Sequence, residues 1–309
     1  MSSSSRPLVS IGIPTYNRAA GHLRDVIERS LGQTYRNIEV IVSDNCSTDD
    51  TPALIDSFND PRLRYFRQET NIGPNNNFNY CMNQARGEYF LLFHDDDMID
   101  KNFIEACMSS LEPGQKVGVI ISGVRLINEY GDVRAEHENK ADATTPAEFI
   151  LGWYAGETTL YLCNTLYNTG YLKEIGGFHS KKGLFDDLVA TFTLLARYGR
   201  VDVKEVRASF RRHSNNRGSS VPVEDWIEDS MFLIDLMCDL MPHDCQSLRK
   251  NGRKYFSRKM YRHVVRGLSL LPRIGAYFRI YKSFGFGYSP LHFIYTRKLK
   301  RINRMLTRN

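Results

Sequence analysis

Three apolar segments of this 309-residue chain stop abruptly in polar or acidic clusters, and that pattern restricts the fold more than any other feature. Residues 8–13 run into Pro14, Thr15, Tyr16 and Asn17. Residues 38–42 run into Asp44 and Asn45, and residues 89–93 into "HDDDM", with Asp95, Asp96 and Asp97 side by side. Short apolar runs bounded by turn formers read as buried strands. Helical stretches fall between them, at 21–31 and after the turn "NIGP", and "LRYFRQ" reads as a further strand. Strand and helix alternating at this spacing predict a parallel, doubly wound α/β sheet. Such sheets bind ligands outside the carboxyl ends of their strands, where all three polar clusters fall. No G-x-G-x-x-G follows the first strand and no G-x-x-x-x-G-K-[ST] is present. A dehydrogenase-type dinucleotide fold and a P-loop are therefore disfavoured.

The second half continues the alternation. Residues 116–128, 158–168 and 201–210 read as strands. A helix opens at Asp186 and Asp187, with Leu188, Phe192, Leu195 and Ala196 as its buried stripe. Its N-terminal dipole and free N–H groups favour carboxylates there. Residues 214–220, rich in Ser, Asn and Gly, are a candidate lid. Ser47 or Thr48 is expected to cap the helix after the second strand. A helix over 223–241 should end at Pro242, and another over 246–271 should bury Phe256, Met260, Val264 and Leu268.

Charge divides the chain. Residues 246–309 carry 17 Lys/Arg and no acid, which leaves 24 basic against 35 acidic residues elsewhere. A basic, aromatic-rich amphipathic tail suits an anionic membrane surface. Nucleic acid is the disfavoured alternative, because no recognised binding motif is present. Packing on the core, or a homo-oligomer contact, is the remaining use. No apolar run approaches the roughly 20 residues a membrane span needs. Residues 1–7 are polar, without an apolar h-region, and are expected to be a disordered leader. These features predict a cytoplasmic protein, peripheral at the inner face of the plasma membrane. Its six scattered cysteines, with no C-x-x-C, are expected to be reduced.

Taken in order, "IGIPTYNR", "IEVIVSDNCSTDDT", "NIGPNNNFN", "GEYFLLFHDDDM" and "GGF…FDD" resemble family 2 glycosyltransferases of the GT-A fold. The asparagine-rich stretch is similar to that of bacterial enzymes acting on surface polysaccharides or their lipid-linked precursors. The resemblance implies a GT-A-type, Rossmann-like, mainly parallel sheet flanked by helices, with a basic helical C-terminal region. Residues 8–100 would be the nucleotide-sugar half, 101–221 the acceptor half and 222–309 the helical region. It implies an inverting hexosyl transfer from a nucleotide sugar, UDP-sugars foremost, to a glycan or lipid-linked glycan. Pro14, Thr15, Tyr16 and Asn17 would line the base and ribose pocket, and Asp44 would accept a bond from the base. Asn71 and Asn77 fall at donor-side or structural positions. Asp95 and Asp97 would hold Mn²⁺ or Mg²⁺ with His213, with Asp96 nearer the ribose and Arg211 on a phosphate. Asp187 would be the catalytic base, with Asp186 as its substitute.

The chemistry is consistent with that placement. Carboxylates alone repel a diphosphate, and a divalent cation bridging hard oxygen ligands removes the conflict. The cluster departs from the family's usual form: His94 replaces an apolar residue, and Met98 replaces an acid. His94 is expected to point into the core. The competing readings are a nucleotidyltransferase-like enzyme, which lacks its basic Gly-rich loop here, and a non-catalytic nucleotide-sugar or polyanion-binding module.

Overall fold

The computed structural model describes residues 6–212, 221–267 and 269–306. The chain divides into two compact units, one of Met1–His179 with Asp186–His213, the other of Ser180–Phe185 with Ser214–Asn309.

In the first unit β1 (Val9–Thr15), α1 (Leu23–Leu31), β2 (Ile38–Asp44), α2 (Thr51–Asp56), β3 (Leu63–Arg67), α3 (Pro74–Gln84) and β4 (Tyr89–Leu92) follow one another. The strands pair in parallel in the order β3-β2-β1-β4. Every residue of β1, β2 and β4 is buried, as a parallel sheet covered on both faces requires. β3, at the edge, is mostly half-exposed. Each buried Val, Ile, Leu or Phe side chain here is worth roughly 1.5–3 kcal/mol. Gly12 permits a close approach: a Cβ there would lie 2.7 Å from the Phe90 ring and 2.9 Å from Cys81. α3 can therefore sit close against β1.

The remainder of the unit comprises β5 (Met98–Ile99), α4 (Phe103–Ser109), β6 (Val119–Ile127), β7 (Val133–His137), α5 (Pro146–Ala155), β8 (Thr165–Asn168), α6 (Thr169–Glu174), α7 (Asp186–Tyr198) and β9 (Arg200–Arg211). These strands extend the sheet as β8-β6-β9-β5, with β7 off this path and paired to the C-terminal half of β6. β8 runs antiparallel to β4 and β6, and β5 antiparallel to β9, while β6 and β9 are parallel. Parallel pairing thus joins β1, β2, β3 and β4 to one another, and the rest of the sheet is mixed.

Local expectations differ from the structure in several places. Residues 158–168 do not form one strand, because Asn164 captures the backbone first. Its carboxamide accepts from the Tyr161 amide and donates to the Ser122 and Thr159 carbonyls, so only Thr165–Asn168 remains extended. α2 starts at Thr51, where the Asp49 carboxylate receives the Thr51 amide, while Ser47 is occupied by the Asn17 amide. Arg6 and Pro7, assigned to the leader, are held: Arg6 pairs with Glu105 and the Tyr35 hydroxyl donates to the Pro7 carbonyl. Finally, Cys238 and Cys245 are joined as a disulfide, the turn at Pro242 bringing their Cα atoms to 4.4 Å. Cys46, Cys81, Cys107 and Cys163 are free thiols.

The second unit is helical: α8 (Val223–Leu240), α9 (Cys245–Gly267), α10 (Leu270–Ser283) and α11 (Pro290–Leu306). Phe256, Met260 and Val264 are buried along α9 as expected, and Leu268 lies outside the described residues. The helix expected over 246–271 stops at Gly267. Pro272 falls in the first turn of α10, where its missing N–H is tolerated. Asp229, fully buried in α8, accepts from the Ser180 hydroxyl and from the Lys182, Leu184 and Phe185 amides. That carboxylate sets the course of residues 180–185. No described helix is long and apolar enough to cross a membrane.

Candidate active site

The acid cluster begins where β4 ends. Phe93 still pairs with β1, its amide donating to the Gly12 carbonyl at 2.8 Å, and the chain then turns. Asp95 folds back on the end of β1, accepting from the Thr15 hydroxyl at 2.8 Å, with Arg18 Nε 3.6 Å away. Burial pushes the Asp95 carboxyl up to about 6, helped by the charge of Asp96 and opposed by Arg18 and Thr15.

Asp97 is more deeply placed, at 1% exposure. Its Oδ1 accepts the Arg211 amide at 2.9 Å, the Cys163 thiol bonds weakly to the carboxylate, and its buried Oδ2 meets no N–H or O–H donor among the described residues. Burial, and then the charge of Asp96, hold its carboxyl well above the usual range. His94 does not enter the core. It is partly exposed, its ring 5.1 Å from that of Phe78 and its Nδ1 4.0 Å from Asp97 Oδ2. His94, Asp96 and Asp97 each offer a ligand atom within 4.8 Å of the others. The described trio able to hold a cation is therefore His94–Asp96–Asp97. Asp95, expected in it, is engaged with Thr15 instead, and His213 lies outside the described residues. An imidazole with two carboxylates, one holding a buried oxygen that meets no N–H or O–H donor among the described residues, fits Mn²⁺ better than Mg²⁺.

Arg211, expected on a phosphate, acts as a staple. It is 5% exposed, and its guanidinium donates to the carbonyls of Asp96, Asn128 and Glu129. These bonds tie the turn that carries Asp96 to the turn between β6 and β7.

The donor-side residues separate into framework and surface. Asp44 is wholly buried, with Oδ1 on the Ser47 amide and Oδ2 on the Tyr65 hydroxyl, each at 2.8 Å. Asn77 exchanges bonds with the Ser43 hydroxyl and carbonyl, which anchors α3 to β2. Asn71 accepts from Asn45 and from the Gly73 amide. Pro14 and Thr15 are buried in β1. Tyr16, 44% exposed, and Asn17, at φ 54°, stand beyond the strand end. Asn17 Oδ1 accepts the Thr48 amide and so joins the loops after β1 and β2.

Asp186 and Asp187 open α7 as expected. Asp186 is buried and accepts from the Asn75 side chain. Asp187 is half-buried, with Oδ1 on the Leu188 amide, while its carbonyl accepts the Thr191 hydroxyl. The asparagine run of α3 thus serves several partners: Asn75 meets Asp186, Asn77 meets β2, and Asn79 clamps the Phe178 backbone in both directions. Asn75 and Asn79 were not singled out from sequence. Each lies two residues from Asn77, four from the other, and that spacing was the available signal.

A parallel half-sheet with an acid cluster at its carboxyl end, completed by a mixed half, defines a GT-A-like α/β fold. The structure of Staphylococcus aureus TarS 1–349 in complex with UDP superposes with a TM-score of 0.68 and 18% identity over 89% of this chain and 79% of that one. The mannosyltransferase PcManGT from Pyrobaculum calidifontis, in complex with GDP-Man and Mn²⁺, gives 0.54 and 17% over 94% and 86%. In sequence, the profile of glycosyl transferase family 2 matches residues 10–176, and the chain belongs to that family. A Campylobacter jejuni GalNAc(5)-diNAcBac-PP-undecaprenol beta-1,3-glucosyltransferase is 29% identical over 158 residues, 49% of this chain and 50% of that protein. The chain spans half or less of the length of the curated relatives it matches.

Proposed function

We propose that this chain is a metal-dependent, inverting hexosyltransferase of bacterial surface polysaccharide synthesis. It would move a sugar from a nucleotide-sugar donor, a UDP-sugar foremost, to a hydroxyl of a glycan or lipid-linked glycan. The observation that carries the reading is the His94–Asp96–Asp97 trio at the carboxyl end of β4, with Asp97 Oδ2 buried and given no N–H or O–H donor among the described residues. UDP bound to TarS and Mn²⁺ with GDP-Man bound to PcManGT support a nucleotide-sugar donor and a divalent cation. The undecaprenol-linked substrate in the Campylobacter relative's name supports a lipid-linked acceptor at the inner face of the membrane.

His94, Asp96 and Asp97 would hold the cation, Mn²⁺ in the first instance. When bound, it would neutralise the charge that develops on the leaving diphosphate. Arg211 keeps Asp96 and Asp97 in place from behind. Asp187 accepts the proton of the acceptor hydroxyl as that oxygen attacks the anomeric carbon. The new C–O bond forms as the bond to the diphosphate breaks, and a single displacement inverts the centre. Tyr16 and Asn17 are exposed where a base and ribose could lie.

The test is turnover of a panel of nucleotide sugars with Mn²⁺, including slow donor hydrolysis. Asp187→Asn should lower kcat by about 10²–10⁴-fold with donor affinity retained, the usual share of a general base. An intact rate, or a product of retained anomeric configuration, would overturn the assignment.

A further inference from the structure

We infer that α10 and α11 form a surface that docks on an anionic phospholipid bilayer. Of the ten large apolar side chains exposed among the described residues, seven lie between Ile274 and Leu299. Ile274 and Phe278 are four apart on α10, and Leu291, Ile294, Tyr295 and Leu299 are spaced three and four apart on α11. At these spacings each set shares one helix face. Neither stripe is spare core. α10 already buries Ala276, Tyr277 and Ile280, and α11 buries Phe293, which joins Tyr261 and Tyr277 in an aromatic cluster. Both helices therefore present a second apolar face, turned outward. The turn between them adds Phe286, 55% exposed and held at φ 60°.

Charge selects the occupant. Lys282, Arg297 and Lys298 are exposed beside these stripes, and no acid occurs from residue 246 onward. Apolar side chains flanked by cations suit the boundary between acyl chains and anionic headgroups. A second copy of the same face would oppose like charges. The helices are too polar to span a bilayer, so they would lie in its surface. The inference deepens the reading of a lipid-linked acceptor, yet its test uses no acceptor.

The full chain would be sedimented with vesicles of phosphatidylcholine, with and without phosphatidylglycerol. Binding is expected to the anionic vesicles and to be released by high salt. Combining Lys282→Gln, Arg297→Gln and Lys298→Gln should weaken it roughly a hundredfold, at about fivefold per basic residue. Combining Phe278→Ser, Leu291→Ser and Tyr295→Ser should weaken it too. These positions are exposed, so the unfolding temperature should not move. Equal binding to both vesicle types, or wild-type binding by both variants, would overturn the surface. So would a dimer that the serine variant dissociates while vesicle binding stays intact. Donor hydrolysis by the same preparations separates the two readings. Hydrolysis without vesicle binding removes only the docking surface, and vesicle binding without hydrolysis removes only the transferase.

Discussion

Asp97 and Asp229 are both carboxylates sealed from solvent, and they are built in opposite ways. Asp229 receives one hydroxyl and three backbone amides, all from residues 180–185. Asp97 receives one amide on Oδ1 and a weak bond from the Cys163 thiol, and its Oδ2 meets no N–H or O–H donor among the described residues. A buried charge is tolerated when its lone pairs are answered and costly when they are not. The saturated acid orders a loop, whereas the undersaturated one keeps coordination capacity in reserve. Burial alone therefore separates neither role. The count of donors does.

The largest expected effect tests the undersaturated side. Asp97→Asn should lower metal-dependent donor turnover by about a thousandfold, the several kcal/mol a catalytic metal supplies. The same change removes an ill-solvated charge, so thermal unfolding in EDTA at neutral pH should be unchanged or slightly higher. A clear loss of stability would make Asp97 a second Asp229 and break the contrast. Asp229→Ala should behave the other way round. The Leu184 and Phe185 amides keep the Ser180 hydroxyl as a second acceptor, so losing the carboxylate should cost on the order of 3 kcal/mol, read as a lower denaturant midpoint. A midpoint within error of the wild type would show that saturation is not what holds residues 180–185.

Arg211→Lys comes next. A lysine cannot bridge three carbonyls as the guanidinium does. The Mn²⁺ concentration for half-maximal rate should rise about 10–100-fold, as when the outer support of a metal ligand is lost, with donor KM little changed. The reverse pattern would return Arg211 to the phosphate contact expected from sequence.

These residues also mark how far the sequence could be read. The parallel strands were legible because a strand buried on both faces must be continuously apolar and must turn polar where it leaves the sheet, as at Thr15, Asp44 and Asp95. β5 was not, since two residues carry no period. Nor was the break before β8, because a β-rich composition says nothing of where the Asn164 carboxamide will bond. In the site, Asp186 and Asp187 at a helix start and the acid run could be placed. The division among the acids could not, because it depends on which side chain reaches Thr15 and which is closed over by β9. Asp229 looked like one more acid on an acidic helix. Its role comes from a loop 44–49 residues away in the chain, beyond any local pattern.

Glu39 extends the contrast to acid stability, with the smallest expected effect. It is 6% exposed and saturated: Ser10 and the Arg86 amide donate to Oε1, and Arg64 reaches Oε2 at 2.6 Å. Burial works to raise its pKa, but the Ser10, Arg86 and Arg64 bonds outweigh it and hold the carboxyl below its usual value. The fold thus favours the ionised form, and the stability gained is present above the unfolded value, near 4.5. It is lost as pH falls through the lower folded value. Asp95 has the opposite sign: with its carboxyl raised to about 6, its ionised form is penalised, and that penalty grows as pH rises from near 3.8 to 6. In EDTA, wild type should therefore exceed Glu39→Gln by a constant margin at neutral pH, and the margin should shrink only below about pH 4.5. Asp95→Asn should gain on the wild type between pH 4 and 6, and no further above it. Chemical denaturation of the three proteins across pH 3–7 reads both limbs. If the two curves bend the same way, the number of bonds answered does not decide whether a buried acid of this chain stabilises the fold or strains it.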